Sequence, residues 1–335
     1  MKILVSIASP EIAASFMTEE NRHLAESLFD VVWCIGRDGT DKAVIKEKLA
    51  DCDAYFTCWG SPCLDAELLE GAPRLRLLAH LGSSVASYAG EAAWERGVRV
   101  ISAFDYFSES TAEGAVSYML AALRRIPFYS GRLKNEGIWR VVGDTTNGLI
   151  YKSVGIVSYG GVARHVVKKL QPFHVDLKVY DIVDIPKEEQ ERYGFRQVSL
   201  EEIFSTCEVI SLHTPLNDRT YHMIDDRLLS MIPKGALLVN TARGGIVDQA
   251  ALTRHLAAGD FNAALDVFEK EPIDKDDPLL RMDNVMIMPH HGGPTTNLRG
   301  PLTRDLLLEA HDHLVNGAPL KSEISRAYAA NMSTK

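Results

Sequence analysis

Residues 158–163 read SYGGVA, set between the apolar run VGIV and a segment of helical spacing. A strand turning into a helix here could hold the phosphates of a dinucleotide. In the usual GxGxxG turn the first glycine permits the tight bend and the second lets the backbone approach the pyrophosphate. The third lets helix and strand pack closely. Gly160 fills the second position, where any side chain would occupy the phosphate's space, and Ala163 is an accepted variant at the third. Ser158 at the first is a departure. Serine makes the turn freely if φ stays negative and otherwise costs about 1 kcal/mol. The turn by itself fits a plain structural strand-turn-helix as well as a phosphate site.

The surroundings favour the second reading. Val162, Val166 and Leu170 recur at i, i+4 and i+8 with Val167 beside them, which predicts a helix whose N-terminus offers N–H groups and partial positive charge to an anion. The next apolar run, VDLKVYD, ends in Asp181, 21 residues past Gly160. A carboxylate there accepts from both ribose hydroxyls and repels a 2′-phosphate. No arginine follows immediately, so the expected cofactor is NAD rather than NADP.

The elements that must position these groups are legible as short apolar runs alternating with helix-length amphipathic segments. Candidate strands are 3–8, 31–35, 54–58, 75–81 and 98–101, then 154–157, 175–181, 208–213, 236–240, 263–267 and 285–288. Continuous apolar strands separated by helices indicate parallel sheets covered on both faces. Eleven runs exceed one small sheet, and 335 residues suffice for two cores, so two α/β domains are expected. Ser110 followed by Glu113 reads as a capping box opening a long apolar helix at the boundary. The segment 135–152 is turn-rich, a last helix is expected near 295–316 after Gly292–Gly293, and the tail AANMSTK is expected to fray.

Composition narrows the function. A hydrophobic content of 46% with 24% charged residues is that of a soluble globular protein. A net charge of -9 argues against nucleic acid or an anionic membrane as main partner. No run approaches the ~20 apolar residues of a membrane span. Five scattered cysteines (Cys34, Cys52, Cys58, Cys63 and Cys207) suggest reduced thiols and a cytoplasmic protein. No CxxC or Cys/His cluster supports a metal site.

Three further stretches carry candidate chemistry: SLHTPLNDRTYHMI (211–224), LLVNTARGGIVDQAAL (237–252) and ALDVFEKEPIDKDDPLLRMDNVMIMPHHGG (264–293). Taken singly they are ambiguous. Arg243 could be a solvated loop residue, Glu269 and Glu271 both flank Lys270, and His290 adjoins His291. In this order, after the turn and the acidic strand end, they resemble the D-isomer-specific 2-hydroxyacid dehydrogenases, and the resemblance runs through nearly the whole chain, densest over 105–300.

The resemblance implies a particular division of labour. Arg243 would bind substrate, Glu271 would be the acidic partner and His290 the proton-transfer residue. A guanidinium can clamp a 2-hydroxy acid's carboxylate and polarise the neighbouring carbonyl through its fork of donors. A histidine can exchange the hydroxyl proton near neutral pH as hydride moves to or from the nicotinamide. A nearby carboxylate would orient the ring and favour its charged form. Cofactor contacts implied in the same way are Gly160, Gly161, Val162 and Asp181, with His213, Thr214 and Pro215 on the adenosine side. Thr241, Ala242, Arg243, Asp266, His290 and Gly293 would approach the nicotinamide; Asp266 is also readable as a strand-end cap.

The substrate carboxylate would meet main-chain N–H groups of Gly82, Ser83 and Ser84 in HLGSSVAS. Ser84 stands where many relatives have glycine, and Ala86–Ser87 replace the usual aspartate-asparagine, so this pocket departs from the common pattern. Trp59 in CWGSP is a candidate to narrow it. The implied architecture is two doubly wound parallel-sheet domains, a Rossmann NAD-binding domain (104–293) inserted in a flavodoxin-like substrate domain (1–103 plus 294–335). The site is expected in the cleft between them and the assembly as a homodimer. The expected activity is NAD-dependent interconversion of a small 2-oxo acid and its D-2-hydroxy acid. Because CWGSP and HLGSS supply only His80 as a basic group, a glyoxylate/hydroxypyruvate reductase is favoured over a D-3-phosphoglycerate dehydrogenase. A non-catalytic NAD-sensing corepressor-like protein is the rival from another class.

Overall fold

In the computed structural model, which describes residues 1–139, 143 and 146–332, the described residues include twelve strands. They form two all-parallel sheets of five and seven strands. The chain divides into two units, Met1–Phe107 with Pro294–Lys335, and Ser108–Gly293.

The first unit holds β1 (Lys2–Ile7), β2 (Asp30–Ile35), β3 (Ala54–Thr57), β4 (Leu77–His80) and β5 (Arg99–Ser102), in the order β2-β1-β3-β4-β5. That is the flavodoxin-like order, which reverses direction between β1 and β3. Its strands are apolar at nearly every position because successive side chains enter two different cores. Ile3, Val5 and Ile7 face one with Phe56, Ala79 and Ile101, while Leu4 faces the other with Tyr55, Leu78 and Val100. Leu302, Leu306, Leu307, Ala310 and Leu314 of helix Thr296–Asn316 complete the first of these cores, which is why the C-terminal segment belongs to this unit.

The second unit holds β6 (Ser153–Val157), β7 (Asp176–Tyr180), β8 (Phe195–Gln197), β9 (Val209–Leu212), β10 (Leu237–Asn240), β11 (Asn262–Leu265) and β12 (Val285–Ile287). The order β12-β11-β10-β9-β6-β7-β8 contains the doubly wound 3-2-1-4-5-6 pattern of a dinucleotide fold plus one further strand. β6 lies between β7 and β9, so the chain turns opposite ways from it and leaves a crevice beyond its carboxyl end. Helix Gly161–Leu170 buries Ala163, Val166, Val167 and Leu170 against one face of the sheet.

Two expectations require correction. β8 had no apolar run to announce it: FRQ is a three-residue edge strand with one buried side chain. The helix assigned to a capping box at Ser110 instead starts at Phe104 and runs to Leu123. Ser102 Oγ accepts the Phe104 N–H at 3.3 Å, and no glycine or proline interrupts the first two turns, so Ser110 lies inside the helix and is buried. The division between the units falls within this helix, between Phe107 and Ser108. Residues 140–142, 144 and 145 of the turn-rich segment, and 333–335 of the tail, lie outside the described residues.

Candidate active site

The turn after β6 is built on an unusual residue. Ser158 has φ +73°, the left-handed region that favours glycine, so the condition for a strain-free serine is not met. Its N–H donates to Tyr180 O at 2.8 Å, and its hydroxyl shares a 2.8 Å hydrogen bond with Thr214 Oγ1. Tyr159 N–H donates to Asp181 Oδ2 at 2.6 Å, and Val183 N–H to Asp181 Oδ1 at 3.0 Å. The carboxylate at the end of β7 therefore fastens the turn as well as facing outward. Gly160 precedes helix Gly161–Leu170 with no side chain capping the helix, and a Cβ placed on it would meet no atom within 4 Å. The helix end is thus open to an anion, and the residues present fit a dinucleotide's pyrophosphate. Val162 is half-buried, and Thr214 is buried beside the turn while Pro215 is exposed. The half-buried His213 ring shares a hydrogen bond with Ser211 Oγ, and loss of surrounding water pushes its pKa down to about 3, so it is neutral.

Beyond β10, Asn240 organises the next loop, a role not foreseen from sequence. Its Oδ1 accepts the Ala242 N–H and its Nδ2 donates to Arg243 O, both at 3.0 Å. Thr241 Oγ1 is buried without a partner among the described residues. Gly244 is obligatory: a Cβ there would sit 1.9 Å from the carbonyl carbon of Phe268. This close approach lays the Arg243 loop against the segment carrying Glu271. Burial lowers the pKa of the Arg243 guanidinium, and the nearby Glu271 carboxylate acts the other way.

The ambiguity between neighbouring acids and histidines resolves in space. Glu271 Oε1 accepts the Phe268 N–H at 3.0 Å, and Oε2 pairs with His290 Nδ1 at 2.8 Å. Glu269 turns away to pair with His222, and the exposed His291 is not part of the couple. With Nδ1 engaged, Nε2 is the ring nitrogen left to exchange a proton. The His290 and Glu271 side chains are 47% and 37% exposed, open to a small molecule.

Asp266 is where the structure adds most. It is 1% exposed, with Oδ1 accepting from His291 N–H (2.8 Å) and Tyr118 OH (3.2 Å) and Oδ2 from Gly292 N–H (2.8 Å), while its carbonyl accepts the His290 N–H (2.8 Å). It ties the PHHGG loop to the end of β11 and holds His290 at φ +55°. That is the strand-end cap of the two readings, with one protein donor on Oδ2 among the described residues. Tyr118, which completes this anchor, was missed because nothing local links residue 118 to 266. Gly292 cannot bear a side chain, since its Cβ would stand 2.7 Å from Asp266 Oδ2, and a Cβ on Gly293 would come within 2.9 Å of Thr111 N.

In the first unit, Gly82–Ser84 follow β4. Gly82 O accepts the Ala103 N–H at 3.1 Å and Ser83 O the Ser102 hydroxyl at 3.1 Å, so the loop is fixed by the last residue of β5 and its successor. His80 is not a basic rim group. It is fully buried, with Nδ1 on Thr57 Oγ1 at 2.9 Å and its ring stacked on Tyr88. Burial drives its pKa down to about 3, and its Nε2 edge packs where Gly82 lacks a Cβ.

Comparison with known proteins agrees with this construction. The family model for the D-isomer specific 2-hydroxyacid dehydrogenase NAD binding domain matches residues 116–292. A glyoxylate reductase of Korarchaeum cryptofilum is 37% identical over 254 residues, covering 74% of this chain and 76% of that one. A D-3-phosphoglycerate dehydrogenase of Methanocaldococcus jannaschii is 37% identical over 259 residues, 77% of this chain but only 49% of that longer protein. Among solved structures, a glyoxylate reductase from Paecilomyes thermophila superposes with a TM-score of 0.76 at 25% identity, over 97% of this chain and 98% of that one. The chain belongs to the D-isomer-specific 2-hydroxyacid dehydrogenases, and the segment carrying Gly160, Arg243, Glu271 and His290 is that family's NAD-binding domain.

Proposed function

We propose that this protein is an NAD-dependent dehydrogenase that interconverts a 2-oxo acid and the corresponding D-2-hydroxy acid. The observation that carries the reading is the Glu271–His290 pair at 2.8 Å, on a loop pressed against the one bearing Arg243 through side-chain-free Gly244. The intact arginine, glutamate and histidine argue against a cofactor-sensing protein without catalysis.

The residues Gly160, Gly161, Val162 and Asp181 would hold the pyrophosphate and ribose, His213, Thr214 and Pro215 the adenosine side, and Thr241, Ala242, Asp266 and Gly293 the nicotinamide side. When bound, NAD supplies hydride acceptance or donation at the substrate's second carbon. In the reducing direction His290, protonated on both nitrogens, keeps Nδ1–H on Glu271 and releases the Nε2 proton to the carbonyl oxygen; oxidation reverses that transfer. Arg243 grips the substrate carboxylate and polarises the carbonyl, and the lowered hydration of its guanidinium strengthens that grip. Gly82, Ser83 and Ser84 are the first-unit residues proposed to offer main-chain donors to substrate.

Five free thiols support a reducing, cytoplasmic setting. No helix among the described residues is long and apolar enough to cross a membrane. A homodimer through the second unit is supported by helix Ile126–Glu136, which buries none of its residues in the single chain and exposes Ile126 and Leu133.

The test is NADH oxidation with a panel of 2-oxo acids for the parent, His290→Ala and Glu271→Gln. Replacing the histidine should lower kcat roughly 10²–10⁴-fold with NADH affinity little changed. Clear NADH binding without turnover of any 2-oxo acid by the parent would instead make the protein a sensor.

A further inference from the structure

The short edge strand β8 ends in a side chain whose polar atoms are all engaged. Gln197 stands opposite Val179 of β7, two residues before Asp181. Its Nε2 donates to Asp181 O at 3.2 Å and to Val183 O at 2.9 Å, and its Oε1 accepts the Ile185 N–H at 2.8 Å. Gln190, buried in helix Lys187–Tyr193, backs this arrangement. Its Nε2 donates to Ile185 O at 2.9 Å, and its Oε1 accepts the Gln197 N–H at 3.2 Å.

Packing does not hold the segment 181–185 by itself. Ile182 and Val183 are 85% and 66% exposed, and Ile185 is its one buried apolar side chain. The two glutamines supply what the core does not, because the carbonyls of Asp181, Val183 and Ile185 and the Ile185 N–H all end on their amides. The Val183 N–H in turn donates to Asp181 Oδ1 at 3.0 Å, while Oδ2 takes the Tyr159 N–H at 2.6 Å. Each carboxylate oxygen thus holds one backbone N–H and keeps lone-pair capacity for a ribose hydroxyl. The Asp181 rotamer is set through Val183, and Val183 is set by Gln197. Only an amide of this length does both jobs: glutamate has no donor for the two carbonyls, and asparagine is one methylene short.

We propose that Gln197 is a positioning residue for cofactor choice. By fixing the segment 181–185 it holds the Asp181 carboxylate where a 2′-phosphate would have to stand, and so widens the preference for NADH over NADPH. Asp181 supplies the charge, and Gln197 keeps that charge in place. A carboxylate free to swing away repels a phosphate less, because the repulsion falls with distance, and it loses the preorganisation that favours two hydroxyls. The inference rests on the assignment of Asp181 to the ribose proposed above.

Gln197→Met keeps the length of the side chain and removes all three of its hydrogen bonds. Titration calorimetry should show the Kd for NADH rising about five- to ten-fold in this variant while that for NADPH changes about two-fold or less. The ratio of the NADPH to the NADH Kd then falls about five-fold. In turnover the loss should appear in KM for NADH, with kcat at saturating cofactor within about two-fold of the parent. A glutamine with a merely structural role would leave both the ratio and KM in place, and an unchanged ratio overturns the proposal. One measurement needs no variant to fold. In the parent, the Ile185 amide should exchange its hydrogen about ten-fold or more slowly than an open loop amide, and free exchange there also overturns the proposal. Failure of the cofactor reading looks different. A parent that binds neither nucleotide, or both alike, overturns the assignment of Asp181 to the ribose and the proposal with it, even where the Ile185 amide is protected.

Discussion

Ser158 offers a quantitative test of how this turn manages without its first glycine. At φ +73° a residue with a Cβ costs about 1 kcal/mol relative to glycine. Against that, the 2.8 Å bond to Thr214 Oγ1 contributes about 1 kcal/mol, and serine leaves less unfolded-chain entropy to lose than glycine would, about 0.5 kcal/mol. The balance for Ser158→Gly is therefore close to zero, within about 1 kcal/mol either way. Ser158→Ala loses the same hydrogen bond and, like glycine, strands the hydroxyl of Thr214, which is 4% exposed, but it also keeps the strained φ. It should cost about 1–2 kcal/mol. Urea unfolding of the two variants measures both values. Adding Thr214→Val to Ser158→Ala should recover part of the loss, a coupling of about 1 kcal/mol. If alanine proves as stable as serine while glycine gains 1 kcal/mol or more, the hydroxyl bridge offsets nothing and the turn is simply strained.

Two charge-altering substitutions give further tests. Asp181→Asn keeps an oxygen for the Tyr159 N–H but removes the charge, so the preference for NADH over NADPH in kcat/KM should fall by about ten-fold, one unfavourable ionic contact removed; an unchanged ratio would remove Asp181 from the ribose site. His80 has a folded pKa of about 3 against an ordinary 6.5, so the unfolded chain binds its proton first. Its contribution to stability is whole above pH ~6.5 and declines as pH falls towards ~3, by about 2 kcal/mol at pH 5. Urea midpoints between pH 5 and 8 should fall less steeply on acidification in His80→Gln than in the parent; equal slopes would mean that His80 is protonated in the folded protein.

The sheets were legible in the sequence for a physical reason: a strand sandwiched between two cores is apolar along its whole length, so β1, β3, β4, β6, β9 and β10 announce themselves without any need for alternation. β8 has only Phe195 to bury and so left no run. The spurious start at Ser110 shows the converse, because an S-x-x-E spacing satisfies the capping pattern wherever it falls, and only the hydrogen bond at Ser102 tells where the helix begins.

The site was legible in residue type but not in partnership. In EKEP and PHHGG it is the resemblance that selects Glu271 and His290; in space the Phe268 N–H and His290 fix Glu271, while the carboxylate and carbonyl of Asp266 orient His290, His291 and Gly292 together. The same limit governs His80. Counting basic residues near a loop treats charge as a property of sequence position, whereas folding buries the nearby imidazole until it is neutral. Local stretches specify which chemistry is on offer, and contacts made only on folding decide which copy of each group performs it. In this chain the reacting end of the substrate is read from compact motifs. No motif of that kind names the rest of the substrate, which is why the family could be recognised from sequence while the substrate could not.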